Sequence, residues 1–243
     1  MNLLYAIGDI HGQLAGLTQA IEWIEKDGGP EAPIVFLGDY IDRGPDSRGV
    51  LDFLIQGRDA GRHWTFLKGN HDRMFEWFLQ TPSRADPHLF TDLSWLHERL
   101  GGQDTLRSYG LDFSTRRRLS AVHDEALRVV PKAHREFLAA CPLTFETEDW
   151  FFCHAGIRPG VALCDQSEED LLWIREEFLT YTGPHPKLIV HGHSPVEQAC
   201  HYGNRLNLDS GAGYGHALTA AVFEGLSCSI LTAQGRRKIS MAA

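Results

Sequence analysis

Short apolar runs alternate with segments of helical periodicity along the first part of the chain. Residues 3–7, 34–37 and 64–67 have the length and composition of buried strands. Between them, apolar side chains recur at helical spacing, at Leu14, Leu17, Ile21 and Ile24 and again at Val50, Phe53 and Leu54. This alternation predicts a parallel sheet with helices packed on it.

The character of the chain changes after the third predicted strand. Residues 73–142 favour helices, with Pro131 at a helix boundary. They predict a helix-rich insertion that packs on the sheet and forms one wall of a cleft. We expect no chemically active cluster within its helices.

Strands dominate the rest of the sequence. Residues 143–146 and 150–153 predict a hairpin, and residues 171–179 predict a helix. Further short strands are predicted at 188–190, 205–208, 218–223 and 227–231. Their close succession favours a second sheet with mixed or antiparallel pairing.

Length and charge limit the possible functions. A chain of 243 residues fits a single domain over residues 1–243. It carries 23 Lys and Arg against 32 Asp and Glu, a net charge of −9, which gives no overall attraction to nucleic acid or anionic lipid. We therefore expect neither nucleic acid nor a membrane as a partner, and any phosphate must be bound locally.

The remaining composition favours a cytoplasmic protein. The N-terminus lacks the basic segment of a secretory signal, and no apolar run approaches the length of a membrane span. The five cysteines are scattered without the spacing of a zinc site or a disulfide framework. We expect reduced, individually buried thiols and a cytoplasmic location.

Five short glycine-containing motifs follow apolar runs. They are Gly8-Asp9-Ile10-His11-Gly12, Gly38-Asp39-Tyr40-Ile41-Asp42-Arg43-Gly44, Gly69-Asn70-His71-Asp72, His154-Ala155-Gly156 and His191-Gly192-His193. Their Asp, Asn and His side chains offer oxygen and imidazole donors, which suit Mg, Mn, Fe or Zn better than soft ions. The first three stand at the carboxyl ends of predicted parallel strands, where open α/β sheets bind their ligands.

These donors are sufficient for two metal ions. Asp9 and His11 are alternate residues leaving a strand, so both can reach one ion. Two cations held about 3.5–4 Å apart repel each other and need a bridging carboxylate, for which Asp39 is the candidate. The second ion would take Asn70, His154 and His193. We predict a two-metal phosphoesterase whose ligands accept Mn, Fe, Zn or mixed pairs.

Each motif alone has a simpler explanation. Asp9 could be a turn former or a helix N-cap, and His154 could be a hydrogen-bonded core histidine. Five motifs at five predicted strand ends together offer a complete ligand set, which favours the metal site.

In combination the motifs resemble the signature of the phosphoprotein phosphatase branch of the calcineurin-like metallophosphoesterases. GDxHG, GDxxDRG and GNHD occur in that order between Gly8 and Asp72, and the histidine motifs follow at His154 and His193. The region 73–142 matches only loosely. The resemblance implies an α+β protein with an α/β-like N-terminal half: a four-layer αββα fold, with a central β-sandwich flanked by helices and a dimetal site at one edge.

The resemblance implies the same six metal ligands and adds roles for other residues. It implies that His71, oriented by Asp42, protonates the leaving oxygen. It also implies that Asn70, Arg43 and a second arginine, Arg175, contact the phosphate; a guanidinium matches phosphate oxygens well. The simpler alternatives are a surface salt bridge for Asp42 and Arg43 and a solvated helix arginine for Arg175.

The resemblance implies a serine/threonine protein phosphatase of bacterial type that acts on a phosphorylated protein or peptide, with Mn²⁺ as the expected metal. The nucleophile would be a hydroxide held between the two ions. One alternative is a dinucleoside polyphosphate hydrolase with nucleotides as substrates. Another is a non-catalytic protein that retains the metal site. The intact Asp42-Arg43-Gly44 sequence favours the phosphomonoesterase, whereas Asp72 and Ala155 look like bacterial members of either kind.

Overall fold

The computed structural model describes residues 3–90 and 93–242. Within these ranges the strands are β1 Leu4–Ile7, β2 Ile34–Phe36, β3 Trp64–Phe66, β4 Thr144–Glu146, β5 Trp150–Cys153, β6 Leu188–His191, β7 Cys200–His201, β8 Arg205–Asn207, β9 Ala220–Glu224, β10 Ser227–Thr232, β11 Gly235–Lys238 and β12 Ser240–Met241. The helices are α1 Leu14–Gly28, α2 Ser47–Asp59, α3 Asn70–Gln80, α4 Gly102–Ser108, α5 Leu119–Val129, α6 Lys132–Ala140, α7 Glu168–Trp173 and α8 Glu176–Leu179. Two short 3₁₀ helices span Leu163–Asp165 and Ala212–Tyr214.

The first sheet has the order β11-β10-β9-β1-β2-β3. Strands β1, β2 and β3 are parallel, with Tyr5 opposite Ile34 and Ile34 opposite Trp64, as the alternating pattern predicts. Strand β9 pairs antiparallel with β1, and β10 and β11 continue outward. The three motif-bearing strand ends therefore lie side by side at one edge of this sheet.

One sequence expectation on strand membership is wrong. The strands predicted at 218–223 and 227–231 belong to the first sheet, as β9 and β10, rather than to the second. The free edge of β1 accepts β9 because residues 220–223 are apolar and buried on both faces of the strand. A strand buried on both faces has no alternating pattern to reveal which sheet it joins.

The second sheet is mixed, with the order β12-β7-β8-β6-β5-β4. The predicted hairpin of β4 and β5 is present and antiparallel. Strands β5, β6 and β8 run parallel to one another. Their carboxyl ends deliver the histidine motifs to the same edge of the molecule as the first three motifs.

Three buried clusters define the layers. The cluster between the sheets contains Leu37, Phe152, Val190, Leu206 and Phe223. A larger cluster covers the outer face of the first sheet with α1, α2, α3 and the helices that follow. A third packs α7 and α8 onto the outer face of the second sheet. The expected four-layer αββα arrangement is confirmed.

The helix-rich segment follows β3 and leads into β4. Helix α4 packs on α2, and α6 packs on both α2 and α3. Among residues 3–90 and 93–242, no helix combines the length and the apolar character needed to cross a membrane.

The helix predicted at 171–179 is interrupted. It consists of α7 and α8, separated by Ile174 and Arg175, and both of these residues have non-helical backbone angles. Ile174 is buried in the cluster beneath the second sheet. The break matters because it places Arg175 between the two helices, where its side chain reaches Ser194.

Substituting Phe152 by Ala tests the packing between the sheets. Phe152 is fully buried and contacts the rings of Phe145 and Phe223, with centroids 5.9 and 5.4 Å away. We expect the free energy of unfolding in denaturant titrations to fall by about 3–5 kcal/mol. The control is Phe90→Ala, because Phe90 is 82% exposed and its loss should have little effect. Equal effects of the two substitutions would contradict this description of the core.

Candidate metal and phosphate site

The five motifs meet at one edge of the two sheets. The first follows β1, the second follows β2, and the third opens α3 directly after β3. His154 directly follows β5, and one residue, Gly192, separates His193 from the end of β6. The structure therefore brings the six predicted metal ligands together from both sheets, although they are separated by up to 184 positions in the sequence.

Asp39 lies between two groups of donors. Its Oδ2 is 3.4 Å from His11 Nε2, and its Oδ1 is 3.5 Å from His154 Nε2. Donor atoms of Asp39, His11 and His71 lie within 4.8 Å of one another, and so do those of Asp39, Asp9 and His154. A carboxylate shared by two such groups has the placement required of a bridge between two cations.

Asn70 and His193 complete the second group. Asn70 Oδ1 lies 2.9 Å from both His154 Nε2 and His193 Nδ1. The backbone N–H of His193 donates to Asp9 Oδ2 over 3.0 Å. This bond links the loops after β1 and β6, so the two groups of donors form one continuous cluster.

Backbone carbonyls orient two of the imidazoles. Nδ1 of His11 is 2.8 Å from the carbonyl oxygen of Ile41, and Nδ1 of His154 is 2.8 Å from that of Leu37. Since a carbonyl oxygen only accepts, each Nδ1 carries the proton and each Nε2 has a free lone pair. Fixing the second ring nitrogen in this way is the usual means of aiming a histidine at a metal.

Burial sets the charge state of the donors. It lowers the pKa of His11, His154 and His193 below the ordinary value for an imidazole, and a neighbouring charge lowers it further for His11 and His193. These rings are neutral at neutral pH, as metal ligation requires. The pKa of Asp9 lies well above its usual value. Burial is the main cause, and the negative charges of Asp209 and Asp39 raise it further.

The donor set fits a pair of divalent cations. Asp9 and His193 are almost completely buried, yet Asp9 Oδ1 and His193 Nε2 have no hydrogen-bond partner among the described residues. Buried polar atoms are normally hydrogen-bonded, and such exceptions call for an explanation. Cations bound by Asp9 Oδ1 and His193 Nε2 would give these atoms the partners they lack. The positive charge would also balance the negative charge of the buried carboxylates.

Backbone strain is concentrated at this cluster. Within residues 3–90 and 93–242, the non-glycine residues with positive φ are His11, Asp39, Asp42, Arg43 and His193, at 46°, 52°, 73°, 67° and 62°. All five are residues that the motifs single out. Such conformations are unfavourable for residues with a side chain and persist where the surroundings enforce them, often at functional sites.

Asp72 holds the central loop in place. Its carboxylate accepts backbone N–H groups of Asp39 at 2.8 Å, Tyr40 at 3.1 Å and Gly69 at 2.9 Å. A Cβ on Gly69 would lie 2.1 Å from Asp39 Oδ1, so this close approach requires glycine. This role of Asp72 was not predicted, although the position of Asp72 in the third motif is a signal that could have revealed it.

His71 and Asp42 form a close pair. His71 Nδ1 lies 2.6 Å from Asp42 Oδ2, and both side chains are almost fully buried. Interpreting Asp42 as half of a surface salt bridge is therefore wrong. A carboxylate that holds one imidazole nitrogen leaves the other, Nε2, directed towards the site, which is the arrangement of a general acid.

The two predicted phosphate-binding arginines lie beside the cluster. Nη1 of Arg43 lies 2.7 Å from His11 Nε2 and Nη2 lies 3.0 Å from His71 Nε2, and the guanidinium lies over the ring of Tyr214. Arg175 Nη1 donates to Ser194 Oγ at 3.2 Å, directly after His193 in the chain. Arg175 lies in the break between α7 and α8 and is exposed to solvent.

Sequence reasoning missed three further buried residues at the site. Trp95, in a turn before α4, and Thr105, on α4, contact Asp42 through hydrogen bonds, so the helix-rich segment contributes to the site. Asp209 follows β8 near Asp9, and its pKa is raised by burial. Its position directly after the strand predicted at 205–208 was a signal of the same kind as the motifs, whereas no sequence signal marked Trp95 or Thr105.

The comparisons with known proteins agree with this geometry. The sequence model of the family described as calcineurin-like phosphoesterase matches residues 3–222. The chain therefore belongs to the calcineurin-like phosphoesterases, and the predicted superfamily is confirmed. Hydrolysis of phosphoesters with divalent metals is the activity that this membership supports.

Curated relatives and solved structures resemble the chain over most of its length. Asymmetrical bis(5'-nucleosyl)-tetraphosphatase PrpE of Geobacillus thermodenitrificans is 27% identical, covering 88% of this chain and 87% of the relative. PrpE of Anoxybacillus flavithermus is 26% identical with the same coverage. A candidate diadenosine tetraphosphatase shares the fold, with a TM-score of 0.67 and 20% identity over 94% of this chain and 92% of that one. A cold-active protein tyrosine phosphatase of a psychrophilic Shewanella also shares it, with a TM-score of 0.63 and 18% identity over 99% and 81%.

Replacing Asp39 by Asn tests the shared carboxylate. We expect wild-type protein loaded with Mn²⁺ and freed of excess metal to retain about two ions per chain, because two donor groups share Asp39. Asp39→Asn should retain less than about one, since the amide cannot balance two cations. Elemental analysis beside protein quantitation measures the ratio.

Asp59→Asn is the matched control, because Asp59 is exposed and lies outside the cluster. It should bind Mn²⁺ like the wild type. An unchanged metal content in Asp39→Asn would show that Asp39 does not bridge.

Proposed function

We propose that this chain is a two-cation hydrolase of dinucleoside tetraphosphates that cleaves them asymmetrically. The observation that carries the proposal is the joint presence of the Asp39-centred donor cluster and of curated relatives with that activity in their names, aligned over 88% of the chain. Water would add to a phosphorus atom at one end of the tetraphosphate. The products would be a nucleoside monophosphate and a nucleoside triphosphate.

The residues of the site have separate tasks in this reaction. When bound, a pair of divalent cations supplies Lewis acidity and activates the attacking water. Arg43 and Arg175 bind non-bridging phosphate oxygens and offset the negative charge that develops in the transition state. His71, oriented by Asp42, donates a proton to the leaving-group oxygen.

Serine/threonine phosphatase activity is the second candidate, and the His71–Asp42 pair favours it. A nucleoside triphosphate is a weak base and can leave without full protonation, whereas a serine alkoxide is a strong base and needs a proton donor. A buried, tightly held donor is therefore most valuable for a phosphomonoester with a poor leaving group. The substrate of such an activity would be a phosphoserine or phosphothreonine peptide.

A substrate panel separates the two candidates. Purified protein with Mn²⁺ is incubated with diadenosine tetraphosphate, and with phosphoserine, phosphothreonine and phosphotyrosine peptides, at equal concentrations. We expect AMP and ATP in equal amounts from the dinucleotide, measured by chromatography, and a higher kcat/KM than for any peptide. Asp39→Asn should abolish the signal.

Each other result has a definite meaning. Formation of ADP alone would contradict asymmetrical cleavage. Release of phosphate from the phosphoserine or phosphothreonine peptide at a much higher kcat/KM would favour the protein phosphatase. Inactivity on every substrate with several divalent metals would contradict both candidates.

Replacing His71 by Asn tests the role of His71 as the general acid. We expect kcat on a phosphoserine peptide, or on phenyl phosphate as a surrogate, to fall by about 10²-fold or more, because the leaving oxygen is a strong base. The loss on diadenosine tetraphosphate should be smaller. Equal activity of the variant and the wild type on the strongly basic leaving group would contradict the role given to His71.

A further inference from the structure

The Asp42 carboxylate is held by two residues outside every motif. Asp42 is fully buried, and its Oδ2 accepts the indole N–H of Trp95 at 2.8 Å in addition to His71 Nδ1 at 2.6 Å. Its Oδ1 accepts the hydroxyl of Thr105 at 2.6 Å. Both carboxylate oxygens are therefore fixed by donors from the helix-rich segment.

Thr105 also fixes the backbone at this position. Its hydroxyl oxygen accepts the N–H of Asp42 at 2.8 Å, so one side chain contacts both the backbone and the carboxylate of the same residue. Thr105 is completely buried on α4, which packs on α2. Asp42 has a φ of +73°, a conformation that needs such support.

Trp95 is immobilised against the helix that carries His71. Its ring lies on Phe75 and Phe78 of α3, with centroids 5.0 and 4.8 Å away, and only 4% of the residue is exposed. A Cβ on Gly102 would come within 2.6 Å of the indole ring. The indole N–H is thus fixed relative to His71, which lies in the first turn of the same helix.

The segment that carries these residues also contacts the neighbouring arginine. A Cβ on Gly101 would lie 2.2 Å from the backbone nitrogen of Arg43. Residues 95–105 therefore pack directly on the Asp42–Arg43 backbone. The helix-rich segment contacts the part of the site that handles the leaving group and the phosphate.

We propose that Trp95 and Thr105 are positioning residues that hold the Asp42 carboxylate in the orientation in which it aligns His71 for proton donation. This inference rests on the proposed phosphohydrolase function. A carboxylate that has lost one of its donors can rotate about its terminal bond, and the imidazole it holds then loses alignment. Small misalignment of a reacting group reduces the rate strongly, without a comparable effect on substrate binding.

Trp95→Phe and Thr105→Val test the inference. Phe keeps an aromatic ring between Phe75 and Phe78, and Val keeps the shape of Thr, so each change removes a single donor. The assay uses phenyl phosphate, with a strongly basic leaving group, and p-nitrophenyl phosphate, with a weakly basic one. We expect kcat on phenyl phosphate to fall about 10-fold, with KM within about twofold of the wild type. The loss on p-nitrophenyl phosphate should be clearly smaller.

Two comparisons distinguish positioning from general damage. In an Asp42→Asn background, Trp95→Phe should cause little further loss, since the effect of Trp95 passes through Asp42. The control is Trp64→Phe, because the buried Trp64 indole N–H has no hydrogen-bond partner among the described residues and lies in β3. This control should match the wild type on both esters.

A readout independent of turnover follows the hydrogen bond itself. The chain has six tryptophans, and the indole ¹H–¹⁵N resonance of Trp95 is identified by its loss in Trp95→Phe. It should move upfield in Asp42→Asn, because a carboxylate is a stronger acceptor than an amide.

An unmoved resonance would overturn the inference. So would equal losses on both esters, or losses that add fully in the Asp42→Asn background, while the wild type remains active. A wild type that hydrolyses neither ester nor diadenosine tetraphosphate would overturn the proposed function, and this inference with it.

Discussion

Crowding of buried carboxylates is the constraint on which this structure depends. Asp9, Asp39 and Asp209 are each no more than 4% exposed, and burial, with a smaller contribution from the charge of Asp39, raises the pKa of Asp9 and Asp209. Ionised carboxylates this close and this far from water are strongly unfavourable unless cations balance them. Neutral imidazoles surround them and supply further donors. A pair of divalent cations at Asp39 resolves the conflict, and the phosphate chemistry follows from it.

The fold meets this constraint by joining two sheets at their carboxyl edges. The parallel strands β1, β2 and β3 deliver Asp9, Asp39 and Asn70, while β5 and β6 deliver the two histidines. The loops approach so closely that a Cβ on Gly44 would lie 1.9 Å from the carbonyl oxygen of His11. Glycine is required there because any side chain would force the loops apart.

The part of this site that could be predicted from sequence is the part that lies in short motifs. Asp9 and His11 are two residues apart and flanked by glycines, a spacing that predicts that both contribute to one cluster. Trp95 and Thr105 could not be found in this way, because only tertiary packing brings them to Asp42. The sequence could not reveal that β9 belongs to the first sheet for a related reason. A strand buried on both faces shows no alternation of polar and apolar residues.

Anomalous diffraction from crystals of the Mn²⁺-loaded protein is the decisive test of a cation pair held by Asp39, because it locates the ions without reference to activity. We predict two anomalous peaks about 3.5–4 Å apart. Both should lie within bonding distance of Asp39, one beside His11 and the other beside Asn70, His154 and His193, and Asp9 should contact at least one of them. A single peak, or peaks that do not contact Asp39, would contradict the account.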